Sequence, residues 1–201
     1  MSELHIDPLV IRDSVEFQLV RGNRIVGVAA DEVAPEFANP RARMAMRGRF
    51  MVEHVRDGKV IGQYSMPNGI VDVGLNHILE TEFNGGSQVT AWYIGLIDNA
   101  SFSALSAADT MASHAGWIEN DDYAEATRPE WTAGTASSRQ ITNSVTVDFS
   151  INATDTIKGI FITSNSTKNG TTGTLWATAS FGANVSVQNG DTLKITYTVS
   201  G

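Results

Sequence analysis

The last third of the chain constrains the fold most. Between positions 145 and 199, short runs alternate apolar with polar residues: Val145, Val147, Phe149 and Ile151, then KGIFIT, TLWATASF, VSV and LKITYTV. Asn-Ser-Thr-Lys-Asn-Gly, Gly182-Ala-Asn and Gln188-Asn-Gly-Asp separate them. A period of two places one set of side chains on a single face of a strand, and clustered Gly and Asn supply the turns between strands. Such a succession predicts an antiparallel sandwich or barrel. With 201 residues and no cysteine, one well-buried core must hold the fold by packing alone. The expected fold class is mainly β: a jelly-roll-like antiparallel β-sandwich with one short helix and an extended N-terminal arm.

Two earlier segments share a pattern, Val20-Arg-Gly-Asn-Arg-Ile-Val-Gly27 and Val55-Arg-Asp-Gly-Lys-Val-Ile-Gly62. Gly-Asn and Asp-Gly suit the positive φ angles of tight hairpin turns, so hairpins are expected at 14–28 and 49–65. Between them, Pro35 and Pro40 mark an extended linker. The expected organisation is an N-terminal extension over 1–46 and a sandwich domain over 47–201.

In DVGLNHILETEFNGG, Leu75, Ile78, Leu79 and Phe83 share a face at helical spacing. Asp72 is placed as N-cap and Asn84-Gly85-Gly86 as the stop. The apolar run 89–97, VTAWYIGLI, reads as a strand buried on both faces. Residues 98–138 read as irregular, with a helical turn at SALSAADTMA.

Charge is distributed unevenly. The chain carries 22 acidic and 14 basic residues, yet Arg41, Arg43, Arg47 and Arg49 fall together without an acid among them. Between Lys59 and Arg128 there is no Lys or Arg, while ten acids lie in 72–130. This asymmetry suits contact with an acidic protein surface, or head-to-tail contact between copies; the bland reading is a solvated linker. One short arginine cluster on a chain of pI about 4.9 lacks the broad basic footprint of a nucleic-acid binder.

Catalytic and metal-binding patterns find little support. His5, His54, His77 and His114 have no ligand spacing; His77 has Glu80 as a helical neighbour, and His54 has Glu53 and Arg56 to pair with. Glu119, Asp121, Asp122 and Glu125 lack the spacing and glycine of a calcium loop. The glycines open no phosphate-binding helix. No catalytic residue, metal ligand or cofactor is assigned. Trp92 and Trp176 fall in predicted strands and suit the core, whereas Trp117 and Trp131 fall in predicted loops and are the candidate interface aromatics. No run of eighteen apolar residues occurs and no signal segment is read, so neither membrane insertion nor secretion by the usual route is expected.

GRFMVEHVRDGKVIGQYSMPNGIVDVGLNHILETEF, AWYIGLID, DTMASHAGWIE, YAEATRPEW, ITNS, KGIFITSNSTKNGTTGTLWATASF and GDTLKITYTVS together resemble virion structural proteins of tailed bacteriophages. Capsid cement, or decoration, proteins are the most similar kind. The resemblance spans about 47–199. It implies a noncatalytic component on the outer surface of a phage capsid, made in the bacterial cytoplasm, that stabilises contacts between major capsid subunits. A major capsid protein is then the partner and a homo-oligomer, dimer or trimer, the expected state, with no direct nucleic-acid or membrane partner. Arg41, Arg43, Arg47 and Arg49 become the candidate capsid contacts. The alternative is a carbohydrate-binding head fibre, or a tail or adaptor component.

Overall fold

A computed structural model describes residues 16–21, 24–30 and 46–201. Contacts divide the chain into two units, Met1–Ala45 and Met46–Gly201. In the first, β1 (Glu16–Arg21) and β2 (Arg24–Ala30) pair antiparallel, with a register shift after Leu19. The linker of 31–45, with Arg41 and Arg43, lies outside the described residues.

The second unit is a β-sandwich. It opens with β3 (Arg47–Arg56) and β4 (Lys59–Pro67), joined through Asp57 and Gly58, both at positive φ. That is the tight two-residue turn the Asp-Gly pair predicts. Then come β5 (Gly69–Ile70), α1 (Asp72–Phe83), β6 (Trp92–Asp98) and the two-residue strands β7 (Glu119–Asn120) and β8 (Glu130–Trp131). The chain finishes with β9 (Gln140–Thr142), β10 (Val147–Ser150), β11 (Asp155–Thr163), β12 (Leu175–Val187) and β13 (Thr192–Ser200). One sheet runs β10-β13-β3-β4, with β9 also on β13; the other runs β5-β12-β11-β6-β7, with β8 also on β6.

Alternation decides which side faces in. On β13, Leu193, Ile195, Tyr197 and Val199 are buried while the residues between them are half-buried. Phe50 and Val52 do the same on β3, and Phe50 stacks on Tyr197 with ring centroids 4.3 Å apart. From the facing sheet come Ile160 and Ile162, with Trp176, Ala177 and Ala179 of β12. Val185 and Val187 complete the layer.

The second sheet is buried on its outer face too, which is why Ile94–Ile97 carry no polar alternation. Segment 99–118 folds back over it, and Met111, Trp117, Ile97, Phe161, Leu175 and Val71 form a second, smaller core. Gly95 allows this close layering: a Cβ there would meet the Phe161 ring at 2.2 Å.

Four local expectations change. Gly182-Ala-Asn does not end a strand; β12 continues, with Ile157 opposite Val185 and Gly159 opposite Ser180, so residues 181–184 are carried as a bulge. SALSAADTMA contains turns instead of a helical turn, held by Asp109, whose amide donates to the Ser106 carbonyl and whose carboxylate accepts the Ser106 amide. Val71, in extended conformation, is the helix N-cap and supplies no side-chain bond. Asp72 is the first helical residue, and its amide donates to Ala107 O, 2.8 Å away, so a loop carbonyl satisfies it.

The fourth concerns the face of α1. Leu75, Leu79 and Phe83 are 41%, 55% and 78% exposed, and Gly74 is the residue pressed onto the sheet. A Cβ on Gly74 would lie 2.5 Å from the Trp176 carbonyl oxygen, a backbone atom that cannot swing aside. Gly74→Ala is therefore expected to lower stability by about 1–3 kcal/mol despite the better helix propensity of alanine. Urea unfolding checks it; an unchanged or raised midpoint would show that the helix is free to lift.

Candidate docking surface

Of the four clustered arginines, the structure describes Arg47 and Arg49. Both are exposed and stand on the outward face of β3, because Gly48 and Phe50 between and beside them point into the sandwich. Arg49 Nη1 donates to Ser65 Oγ, 2.8 Å away on neighbouring β4. Glu53 accepts from Gln63 at 2.9 Å and Lys194 donates to Asp148 at 2.8 Å on the same sheet. Cross-strand pairs thus line the outside of a sheet whose inner face is apolar.

The interface expected of Trp117 and Trp131 is corrected by their burial, at 1% and 7% exposure. Trp117 Nε1 donates to Asp109 Oδ2 at 2.9 Å, and the indole lies between His114, stacked at 3.9 Å, and Phe161 at 5.0 Å. It is the centre of the outer core. Trp131 lies on β8, where it pairs with Trp92 and donates from Nε1 to Tyr197 O at 3.1 Å. The sequence places both in loops because the strands that enclose them are two residues long or remote in sequence.

The interior ionic groups form separate, internally paired clusters. His54, 3% exposed, lies with Nε2 2.7 Å from Asp191 Oδ2. Arg56 donates from Nε and Nη2 to the two oxygens of the same carboxylate, each at 2.7 Å, and the Gln188 amide adds a bond of 2.9 Å. Arg56 above all, with His54 and the Gln188 amide, holds the Asp191 carboxyl well below the usual carboxylate range, against the opposing effect of burial.

The acids at 119–125 do not act together. Glu119 forms a two-pronged pair with Arg128, Nε to Oε1 at 2.8 Å and Nη2 to Oε2 at 2.7 Å. Asp121 accepts from Asn169 at 2.8 Å, and Glu125 accepts the Ser150 amide at 3.1 Å. Asp98 and Asp155 instead converge on Asn120. Burial raises the Asp155 carboxyl above its usual value and the Asp98 carboxyl adds to the rise, while the Thr156 amide opposes it. Among the described residues, no three such side chains converge as metal donors.

Sequence reasoning missed the cleft beneath the C-terminal half of α1, an opening of about 240 Å³ whose walls include Trp92, Trp131, Trp176 and Tyr197. Its helical side carries His77, Ile78, Thr81 and Glu82. His77 meets Trp92 edge-on at 5.9 Å instead of pairing with Glu80. No helix in the described residues is long and apolar enough to cross a membrane. No protein-family model matches the chain, and no curated protein matches it.

Proposed function

We propose that the chain is a noncatalytic virion structural protein that binds the outer surface of a phage capsid and stabilises contacts between major capsid subunits. The structural observation carrying this reading is the outward placement of Arg47 and Arg49 on β3, next in sequence to the segment that bears Arg41 and Arg43. Guanidinium groups on a sheet face can meet carboxylates of a neighbouring subunit bidentately, and repetition over a symmetric shell multiplies weak contacts. The resemblance over 47–199 supports reading that neighbour as a major capsid protein. The glycan-binding alternative loses its aromatic support, since Trp117 and Trp131 are buried.

Changing Arg41, Arg43, Arg47 and Arg49 to Ala is expected to weaken attachment to purified capsids about tenfold at low salt, with the difference shrinking as added salt screens the charges. Co-sedimentation at several ionic strengths measures it. Equal losses at every ionic strength would assign attachment to packing, and a particle reconstruction with the protein in the tail would refute the capsid location.

A further inference from the structure

The cleft under α1 has an unusual chemistry for its size. An opening of about 240 Å³ suits a small group such as one long side chain. Its walls include three of the chain's four indoles and Tyr197, beside the aliphatic Met46, Ile141, Ile162 and Val199. Two of the three indole donors are already committed inside the fold. Trp131 Nε1 donates to Tyr197 O, and Trp176 Nε1 donates to Tyr197 Oη at 2.8 Å. Asn68 Nδ2 also donates to Tyr197 Oη, at 2.9 Å. The aromatic side chains therefore line the cleft without leaving Nε1 of Trp131 or Trp176 free to fix a sugar hydroxyl.

The other polar side chains on the lining are His77, Thr81, Glu82 and Gln88, and Glu82 is the one carboxylate among them. Among the described residues no Lys or Arg shares the cleft with it. Thr81, on the same helix face, keeps Oγ1 buried without a hydrogen-bond partner, an unmet group that an occupant's N–H would satisfy. Aromatic side chains and a carboxylate together favour a cation with an apolar stem, and the Thr81 hydroxyl, able to donate or accept, can bond to it. Among protein side chains, guanidinium fits best: it is planar, weakly hydrated, stacks on aromatic rings and carries five N–H donors, whereas an ammonium would surrender tightly held water on entering.

We propose that this cleft is the receptor for a single arginine side chain presented by a partner protein, its guanidinium against the indoles and its N–H groups on Glu82 and Thr81. This inference stands apart from the virion reading, because it rests on the cleft alone and applies to any partner polypeptide.

The test uses the full chain with its indole nitrogens labelled and a blocked tripeptide, acetyl-Ala-Arg-Ala-amide, as the probe. The NMR signals of Trp92, Trp131 and Trp176 are expected to shift, while Trp117, on the far side of the second sheet, stays fixed. The same peptide with citrulline, neutral but nearly identical in shape, is expected to bind at least about tenfold more weakly, as is the arginine peptide to Glu82→Gln. Glu82 is exposed on the helix, so this variant keeps its fold, and the citrulline comparison needs no variant at all. Equal shifts from the citrulline peptide would overturn the proposal, as would motionless indole signals up to about 10 mM arginine peptide, beyond the millimolar floor of specific recognition.

Discussion

Arg128→Met is expected to cost about 3–5 kcal/mol of folding stability, the usual result of removing one partner from a buried ion pair. The Arg128 side chain is fully enclosed, and Glu119 opposite it is 4% exposed. Without the guanidinium, a carboxylate stays buried with the Asn169 amide as its remaining donor at this site. Two further bonds vanish with it, Nη1 to Asn165 O at 2.9 Å and Nη2 to Gly170 O at 3.1 Å. Those carbonyls belong to the loop 164–174 between β11 and β12, so the arginine is also the peg on which that loop hangs. Urea unfolding should show the loss, and amide exchange in 164–173 should accelerate beyond the global effect. Adding Glu119→Gln to Arg128→Met should recover part of the loss by removing the stranded charge. A single variant as stable as the parent would mean that water reaches Glu119 freely.

This pair also shows where the sequence is legible and where it is not. Asp57-Gly58 announces its turn because positive φ is a local requirement, and β13 announces its inner face because strict alternation is local too. The same logic identifies β6 as a strand covered on both sides. It cannot say what covers it. Trp117 lies in a segment without periodicity, and only the return of 99–118 across the sheet makes its indole a core residue.

The helix fails for a related reason. Its apolar stripe is real, but packing is decided by how closely the backbone can approach, and Gly74 wins that contest against Leu75 and Leu79. The cleft was invisible for want of any local mark: its three indoles are contributed by β6, β8 and β12, and the helix that roofs it is read on its other side. The arginine cluster is the reverse case. Its composition is plain in the chain, and for Arg47 and Arg49 the alternation of β3 then determines which way they point.

Asp191→Asn is expected to remove about 3 kcal/mol at neutral pH and to flatten the acid limb of the stability curve. Asp191 is a turn residue by sequence, yet it is 1% exposed and ties His54 and Arg56, some 137 and 135 positions away, to the start of β13. Its carboxyl is depressed in the folded state, so the unfolded chain takes up the proton first. The stabilisation is complete above the unfolded value of about 3.9 and is lost as pH falls below it toward the folded value. Asp155 works in the opposite sense. With its folded value raised, its contribution is most favourable below the unfolded value and declines as pH rises through the folded one. Unfolding midpoints measured from pH 7 to pH 2 for the parent, Asp191→Asn and Asp155→Asn separate the two. The gap between parent and Asp191→Asn should close on acidification, whereas Asp155→Asn should gain on the parent as pH rises. A parent–Asp191→Asn gap that stays constant down to pH 2 would mean that geometry, and not charge, is what Asp191 contributes.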